Sequence, residues 1–395
     1  MNRKRILATT AVLAVAVSVA VVTGFTTDST LTGTVYLGMD TPLTGAQQVV
    51  GRGDRETVEA LVRYWNAHGG IKGRRLVVDM VDDSSNPSQA VQNVQKFISD
   101  SKYVGILGSG TAAAALATAP IASQAKIPFI ALSPPTPLVQ PPQPYAYLAI
   151  PTARLFAYNL AGFLRSRKIK RIWLMGDNGG FGRDGPSQVQ KLAKAYGFTI
   201  VDTTIFAPST SDFSAELTKV KNSSAQGLWL WTATPAGNTI VKQFRQLQLP
   251  QKLVLTGANV SQPFLQGTCP DANGAFVNSY LGTVWQYLPK KNPVRKQAAL
   301  VQRLVKHPLS NFDVDAASSL YAFKAAMQRG GFSRSGINNA LETKLNGVVT
   351  PGGWLRLSRK NHTGLQLESM WAGTISGCKP KPLSGPAFKK KKGKK

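Results

Sequence analysis

Apolar positions along this chain follow two alternating rhythms from residue 34 onward. Residues 34–39, 75–81, 103–107 and 127–132 are short aliphatic and β-branched runs that read as strands. Between the first two, Val58, Leu61, Val62 and Trp65 recur at helical spacing, which predicts a helix over 55–68 that Gly69-Gly70 stops. Asn86 can cap a second helix, with Pro87 at its first position, Gln89 at the capping-box spacing and Val91, Val94 and Ile98 on its apolar face. An Ala-rich helix is expected over 111–124. Strand and helix alternating through short connections predicts a parallel sheet covered on both faces. The proline-rich stretch 134–144 cannot continue a central strand and ends this unit as a loop or edge.

A second series of similar size follows. It opens with a helix through Leu155 and Leu164, then strands over 171–175, 198–206, 227–231 and 252–256 alternate with helices over 186–196, 212–221 and 236–248. Beyond it, 315–329 is a clear helix, 337–345 a weaker one, and 352–357 with 367–372 read as a terminal hairpin. The fold class is therefore α/β, with two doubly wound parallel-sheet units.

The N-terminus departs from this pattern. Met1 to Arg5 is short and basic, and residues 6–22 form an uncharged apolar run, the marks of a signal peptide over 1–24. Cleavage after Ala20 or after Gly24 suits the small-residue requirement, and an uncleaved anchor is the alternative. Phe25 stands where a bacterial lipoprotein would carry its cysteine, which disfavours a lipid anchor. The chain is thus expected outside the cytoplasm, where Cys269 and Cys378 can form a disulfide or remain as two buried thiols.

Charge changes the picture further. The 395 residues carry 47 Lys and Arg against 19 Asp and Glu, a net +28. Three of the cations lie in 1–24 and eight in 379–395, neither of which holds an acid, so 25–378 keeps +17. The end, 379–395, reads as a disordered Lys-rich tail suited to an anionic cell envelope.

Candidate chemistry is sparse. The three histidines stand at no metal-ligand spacing and the two cysteines are far apart. No nucleophile elbow, phosphate-binding loop or kinase set occurs, so neither an enzyme nor a metal or other cofactor is expected. The glycine-rich 176–185 lacks a nucleotide-binding pattern and reads as a tight loop. Asp82-Asp83 reads as a solvated strand end, and Trp229 and Trp231 as one face of a strand packed beneath a helix. Gly108-Ser109-Gly110-Thr111, between a strand and a helix, is more informative. Its backbone amides and hydroxyls suit a polar or anionic ligand group, with a plain helix cap as the alternative.

Several segments, in order, resemble the leucine/isoleucine/valine-binding proteins of ABC importers. They are Pro42-Leu43-Thr44-Gly45, residues 66–76, Asp82-Asp83 with 86–91, Gly105-Ile106-Leu107-Gly108, Ala119-Pro120, Ile127-Pro128, Phe181-Gly182 and Asp212-Phe213-Ser214. The resemblance spans about 33–378. It implies a type I periplasmic-binding fold, two lobes joined by three hinge crossovers near 150–151, 281–286 and 350–353. Lobe I would take 31–150 plus 288–349, and lobe II 151–287 plus 350–378.

The resemblance also implies a site. The position whose hydroxyl meets a ligand carboxylate falls on Ala112, with Thr111 beside it keeping a hydroxyl. A carbonyl position falls on Ser133, and a usual Thr two residues on is Pro135. Aromatic positions fall on Phe181 and Ala233, a wall position on Val50, and the acid that neutralises a ligand ammonium on Asn259. The family's disulfide pair falls on Ser85 and Thr111, both lost. The expected ligand-binding set is therefore Val50, Ser109, Thr111, Ala112, Ser133, Phe181 and Asn259. Without the acid, a buried ammonium would lose its countercharge at a cost of several kcal/mol, which points to a neutral or anionic small molecule. The function implied is capture of that molecule and delivery to an ABC permease, with no nucleic-acid partner. The rival readings are a ligand-sensing ectodomain and a cationic binder of envelope polyanions.

Overall fold

The computed structural model describes residues 31–388, so the predicted signal segment and the last lysines lie outside it. The chain forms two α/β lobes. In lobe I the elements run β1 (Thr34–Thr41), α1 (Gln48–Ala67), β2 (Arg75–Asp82), α2 (Pro87–Ser99), β3 (Tyr103–Leu107), α3 (Ala112–Gln124), β4 (Phe129–Ala131), the single turn α4 (Thr136–Val139) and β5 (Ala146–Leu148). The five strands pair in parallel in the order β2-β1-β3-β4-β5.

The chain then crosses to lobe II. It builds α5 (Ala153–Ser166), β6 (Arg171–Asp177), α6 (Gly180–Tyr196), β7 (Thr199–Phe206), α7 (Ser214–Asn222), β8 (Gly227–Trp231), α8 (Ala236–Gln246), β9 (Lys252–Val254), α9 (Gln262–Thr268) and β10 (Phe276–Tyr280). A second crossing leads to α10 (Pro293–Val305), α11 (Asn311–Gly330) and α12 (Arg334–Thr343); α10 and α11 pack on α1, and α12 packs on α11. The third crossing returns to β11 (Met370–Ser376) and β12 (Lys379–Ser384). The second sheet has the order β12-β11-β10-β9-β8-β6-β7; its strands run in one direction except β11, which is antiparallel to both of its neighbours near one edge.

Local chemistry accounts for most element boundaries. Asn86 accepts from the Ser88 amide with Pro87 behind it, Thr111 accepts from Ala114, and Thr152 accepts from Leu155. Gln89 does not close the capping box; its amide donates to Asn93 instead. Trp229, Trp231 and Trp371 are fully buried, each worth several kcal/mol of apolar burial.

Four expectations are corrected. α1 begins at Gln48, seven residues before the predicted start, because Val50, Gly51 and Asp54 are buried although residues 51–56 are glycine and charged residues with no apolar rhythm. The glycine-rich 176–185 is not a loop beyond Gly179; Gly180 to Gly185 are the first turns of α6. Residues 352–357 form no strand, and the terminal hairpin is β11–β12. Lys379–Ser384, assigned to an unstructured tail, is an edge strand held beside Cys378, which the structure joins to Cys269 as a disulfide with Cα atoms 5.8 Å apart.

Candidate functional site

Both sheets aim the carboxyl ends of their parallel strands at a common cleft, where open α/β sheets place ligands. From lobe I come the turns after β3 and β4 and the first turn of α1. From lobe II come the turns after β6, β8 and β9. The start of α11 closes one wall.

Five of the expected residues meet there. Val50, Thr111, Ala112, Ser133 and Phe181 line one small cavity, enclosing about 40 Å³, with Gln47, Phe156, Ala233 and Ala258 completing its sides. Thr111 caps α3, its hydroxyl 3.3 Å from the Ala114 amide. Phe181 sits on Trp231 with ring centroids 5.4 Å apart. Trp231 in turn fills the space left at Gly185, where a Cβ would fall 2.0 Å from the indole. The sequence therefore needs glycine there so that α6 can lie on β8 and present Phe181 inward.

Two expected residues stand elsewhere. Ser109 is fully buried behind the cavity, its hydroxyl donating to the Asp40 carboxylate, and it reaches the site only through its carbonyl, which accepts from Ser133 Oγ at 3.0 Å. Asn259 borders a neighbouring hollow with Ala233, Thr234 and Phe264. Its Oδ1 accepts from the Thr256 amide at 3.1 Å and its Nδ2 donates to the Thr232 carbonyl at 3.4 Å. This side chain is used in shaping its own turn, and Ala258 takes the wall.

The two lobes touch across the cleft. Gly180, at the start of α6, lies so close to lobe I that a Cβ there would come 2.7 Å from the Ala113 nitrogen and 2.9 Å from the Ala112 Cβ. The Asp184 carboxylate of lobe II accepts from the Thr136 amide of lobe I at 2.8 Å.

Asn311, Phe312 and Asp315 also line the cavity, and the sequence reading missed all three. Asp315 accepts from the Tyr280 hydroxyl and from Asn311 Nδ2, the latter at 2.9 Å. Burial pushes its carboxyl well above the usual range, and the charges of Asp54 and Asp313 add to this. Asp54 is fully buried and raised in the same way; its Oδ2 accepts from Thr41, and Oδ1 has no hydrogen-bond partner among the described residues. Asp313 accepts from the Ser310 amide and hydroxyl and from Thr57. The available signal was Ser310 three residues before Asp313, a capping-box spacing, with Asp315 following on a helix rich in Ala and other apolar residues.

A third acid departs from expectation outside the cleft. Asp82 is solvated and held by the Leu43 and Thr44 amides and the Thr44 hydroxyl, as a strand end should be. Asp83 is instead buried, and its carboxyl is pushed up to about 7, first by burial and then by the charge of Asp40 beside it.

The cavity wall thus combines hydroxyls and amides at the start of α3, an aromatic ring from lobe II and a buried carboxyl from α11, with no Lys or Arg among its lining residues. Nothing in it is arranged as a nucleophile with a base. Such a wall can bind a small polar molecule on several sides and be completed only when both lobes meet.

Comparison with known proteins agrees with this architecture. A family model described as periplasmic binding protein matches residues 34–379. The Leu/Ile/Val-binding protein homolog 3 of Brucella melitensis is 25% identical over 309 residues, covering 75% of this chain and 79% of that protein. An extracellular ligand-binding receptor from Rhodopseudomonas palustris HaA2 superposes with a TM-score of 0.81 at 19% identity, covering 88% of this chain and 98% of the other. The branched-chain amino acid transporter substrate binding protein LivJ from Streptococcus pneumoniae, solved with isoleucine, gives 0.76 at 20% identity, covering 88% and 97%. Two α/β lobes closing on a cleft define the class of type I periplasmic binding proteins. This chain belongs to the periplasmic binding protein family.

Proposed function

We propose that the protein captures a small polar molecule between its lobes outside the cytoplasm and delivers it to an ABC permease. The observation that carries this reading is the convergence of Thr111, Ser133, Phe181 and Asp315, from both lobes, on one cavity. A cavity of about 40 Å³ has room for a few waters and is walled by both lobes, so the lobes would part to admit a larger ligand and close again around it.

Asp315 changes the argument about ligand charge. The preference for a neutral or anionic ligand rested on the acid lost at Asn259, and Asp315 supplies a carboxyl from another element. The wall favours a molecule with an acceptor group at the start of α3 and a donor group toward Asp315. A bound cation would also relieve the crowding of Asp54, Asp313 and Asp315.

The deciding experiment is mass spectrometry of small molecules released from purified protein, followed by calorimetry with the candidate. A stoichiometric ligand whose affinity falls about tenfold or more in Phe181→Ala is expected, since the ring packs one face of the cavity. A ligand bound equally well by Phe181→Ala and Asp315→Asn would place the site elsewhere. Delivery is tested by uptake of that ligand in cells lacking this chain, where transport should fall.

A further inference from the structure

We infer that the outer pole of lobe II, opposite the cleft, is a docking surface for a bilayer rich in anionic phospholipid. In a parallel sheet all strands start at one edge, and the preceding helices end there. Arg165, Arg167, Lys168, Lys170 and Arg171 occupy the single turn from α5 into β6, all exposed. Hydrogen bonds fix what lies next to this turn. The Lys170 and Arg171 amides donate to Gln226 Oε1, and the Lys252 amide donates to the Gln226 carbonyl. On the other side the Lys170 carbonyl accepts from Thr199, just beyond Lys194 at the end of α6. Lys219 and Lys221 end α7, and Lys221 Nζ donates to the Leu247 carbonyl. The basic residues thus form one continuous field.

The field is not neutralised internally. No Lys or Arg of this field lies within 4.0 Å of a carboxylate among the described residues. Their contacts are to carbonyls, such as Arg171 Nε to Ser224 O at 2.6 Å, or to ring faces, such as Arg167 over Phe163. Complementing helix ends explains only part of it: α5, α6, α7 and α8 end here and contribute roughly half a negative charge each, about two in all, against eight exposed cations and the half-buried Lys252. At the corresponding edge of lobe I, Lys102 pairs with both Asp79 and Asp100. Counted over the whole lobes, 31–150 with 288–349 hold nineteen Lys and Arg to eleven acids, and 151–287 with 350–378 hold seventeen to seven.

The chemistry favours a lipid surface. Lysine is depleted in protein interfaces, and of the rings at this pole Phe163 and Phe198 are buried, while the half-buried Tyr196 stacks on Phe198 and the half-buried Phe276 lies under Lys252, so none stands free to stack on bases. A broad field of hydrated point charges matches a plane of phosphate head groups. Contact there leaves the cleft open to ligand.

Flotation of the full chain with vesicles tests this, using phosphatidylcholine alone and with about 30 mol % phosphatidylglycerol. The apolar N-terminal run contributes to both, so the difference between them is the readout. Binding should favour the anionic vesicles about tenfold or more, and the preference should collapse between about 0.1 M and 0.5 M salt. It should fall in R165Q/R167Q/K168Q/K170Q, and separately in K194Q/K219Q, with thermal stability unchanged in at least one of the two. It should largely survive removal of 389–395. No preference for anionic lipid, a preference untouched by both variants, one carried wholly by 389–395, or equally tight binding to duplex DNA would overturn the assignment.

Discussion

At the scale of single residues, the acids that sequence alone could not place are the ones whose chemistry matters. Asp83 illustrates why. Neighbouring strand-end residues point in opposite directions, so one of the pair Asp82-Asp83 had to turn inward, but which neighbours it would meet depends on β1 and α2. Its folded carboxyl titrates near 7 and its unfolded one near 3.8. The folded state therefore holds the extra proton between these values, and stability falls as pH rises through that window. Asp83→Asn keeps the Oδ1 acceptor used by the Ser85 amide and removes the buried charge. We expect it to raise Tm by about 2–4 °C at pH 8 and to match the parent at pH 4, as followed by calorimetry. At Asp315 the measurement is ligand affinity. Asp315→Asn should weaken a cationic or zwitterionic ligand about tenfold or more and leave a neutral one nearly unchanged, which separates the two ligand classes.

At the scale of elements, strands and helices of lobe I were legible wherever periodicity and caps agreed, as over α2 and α3. The elements that were missed lack one of these signals. β10 carries Asn278 and Ser279 in a buried strand, where Asn278 Nδ2 donates to the Phe156 carbonyl and Ser279 to Asn311, so its pattern reads polar although its setting is not. β12, with the sequence KPKPLS, offers no strand signal at all and exists because β11 and the Cys269–Cys378 bond hold it. The site was half legible for the same reason. Residues on strand-to-helix turns could be carried over by position, whereas Asp315 reaches the cavity from α11, which only the second crossing brings there. The bond spans 109 residues, for which loop closure gives about 4–5 kcal/mol. Cys269→Ser with Cys378→Ser should lower Tm by roughly 5–7 °C. An unchanged Tm would show that β12 is held by its pairing alone.

At the scale of the whole molecule, Gly180 limits how far the lobes can close. Replacing it by Val improves helix propensity at the start of α6 but places atoms against Ala112 and Ala113 of the opposite lobe. We expect Gly180→Val to keep or slightly raise the ligand-free Tm, to enlarge the radius of gyration in X-ray scattering, and to lower ligand affinity about tenfold or more. Equal scattering curves with and without the substitution would show that the lobes do not meet at this point in solution.

The two prolines and two lysines of β12 have an effect beyond their own lobe. A seven-stranded sheet with an open hydrogen-bonding edge is a template on which a second chain can add a strand. Here that outermost position is taken by Lys379, Pro380, Lys381 and Pro382, two of which have no N–H to offer and two of which repel a like strand. The last strand of the fold thus works as a seal against edge-to-edge self-association, and its sequence is poor strand material because sealing requires it to be.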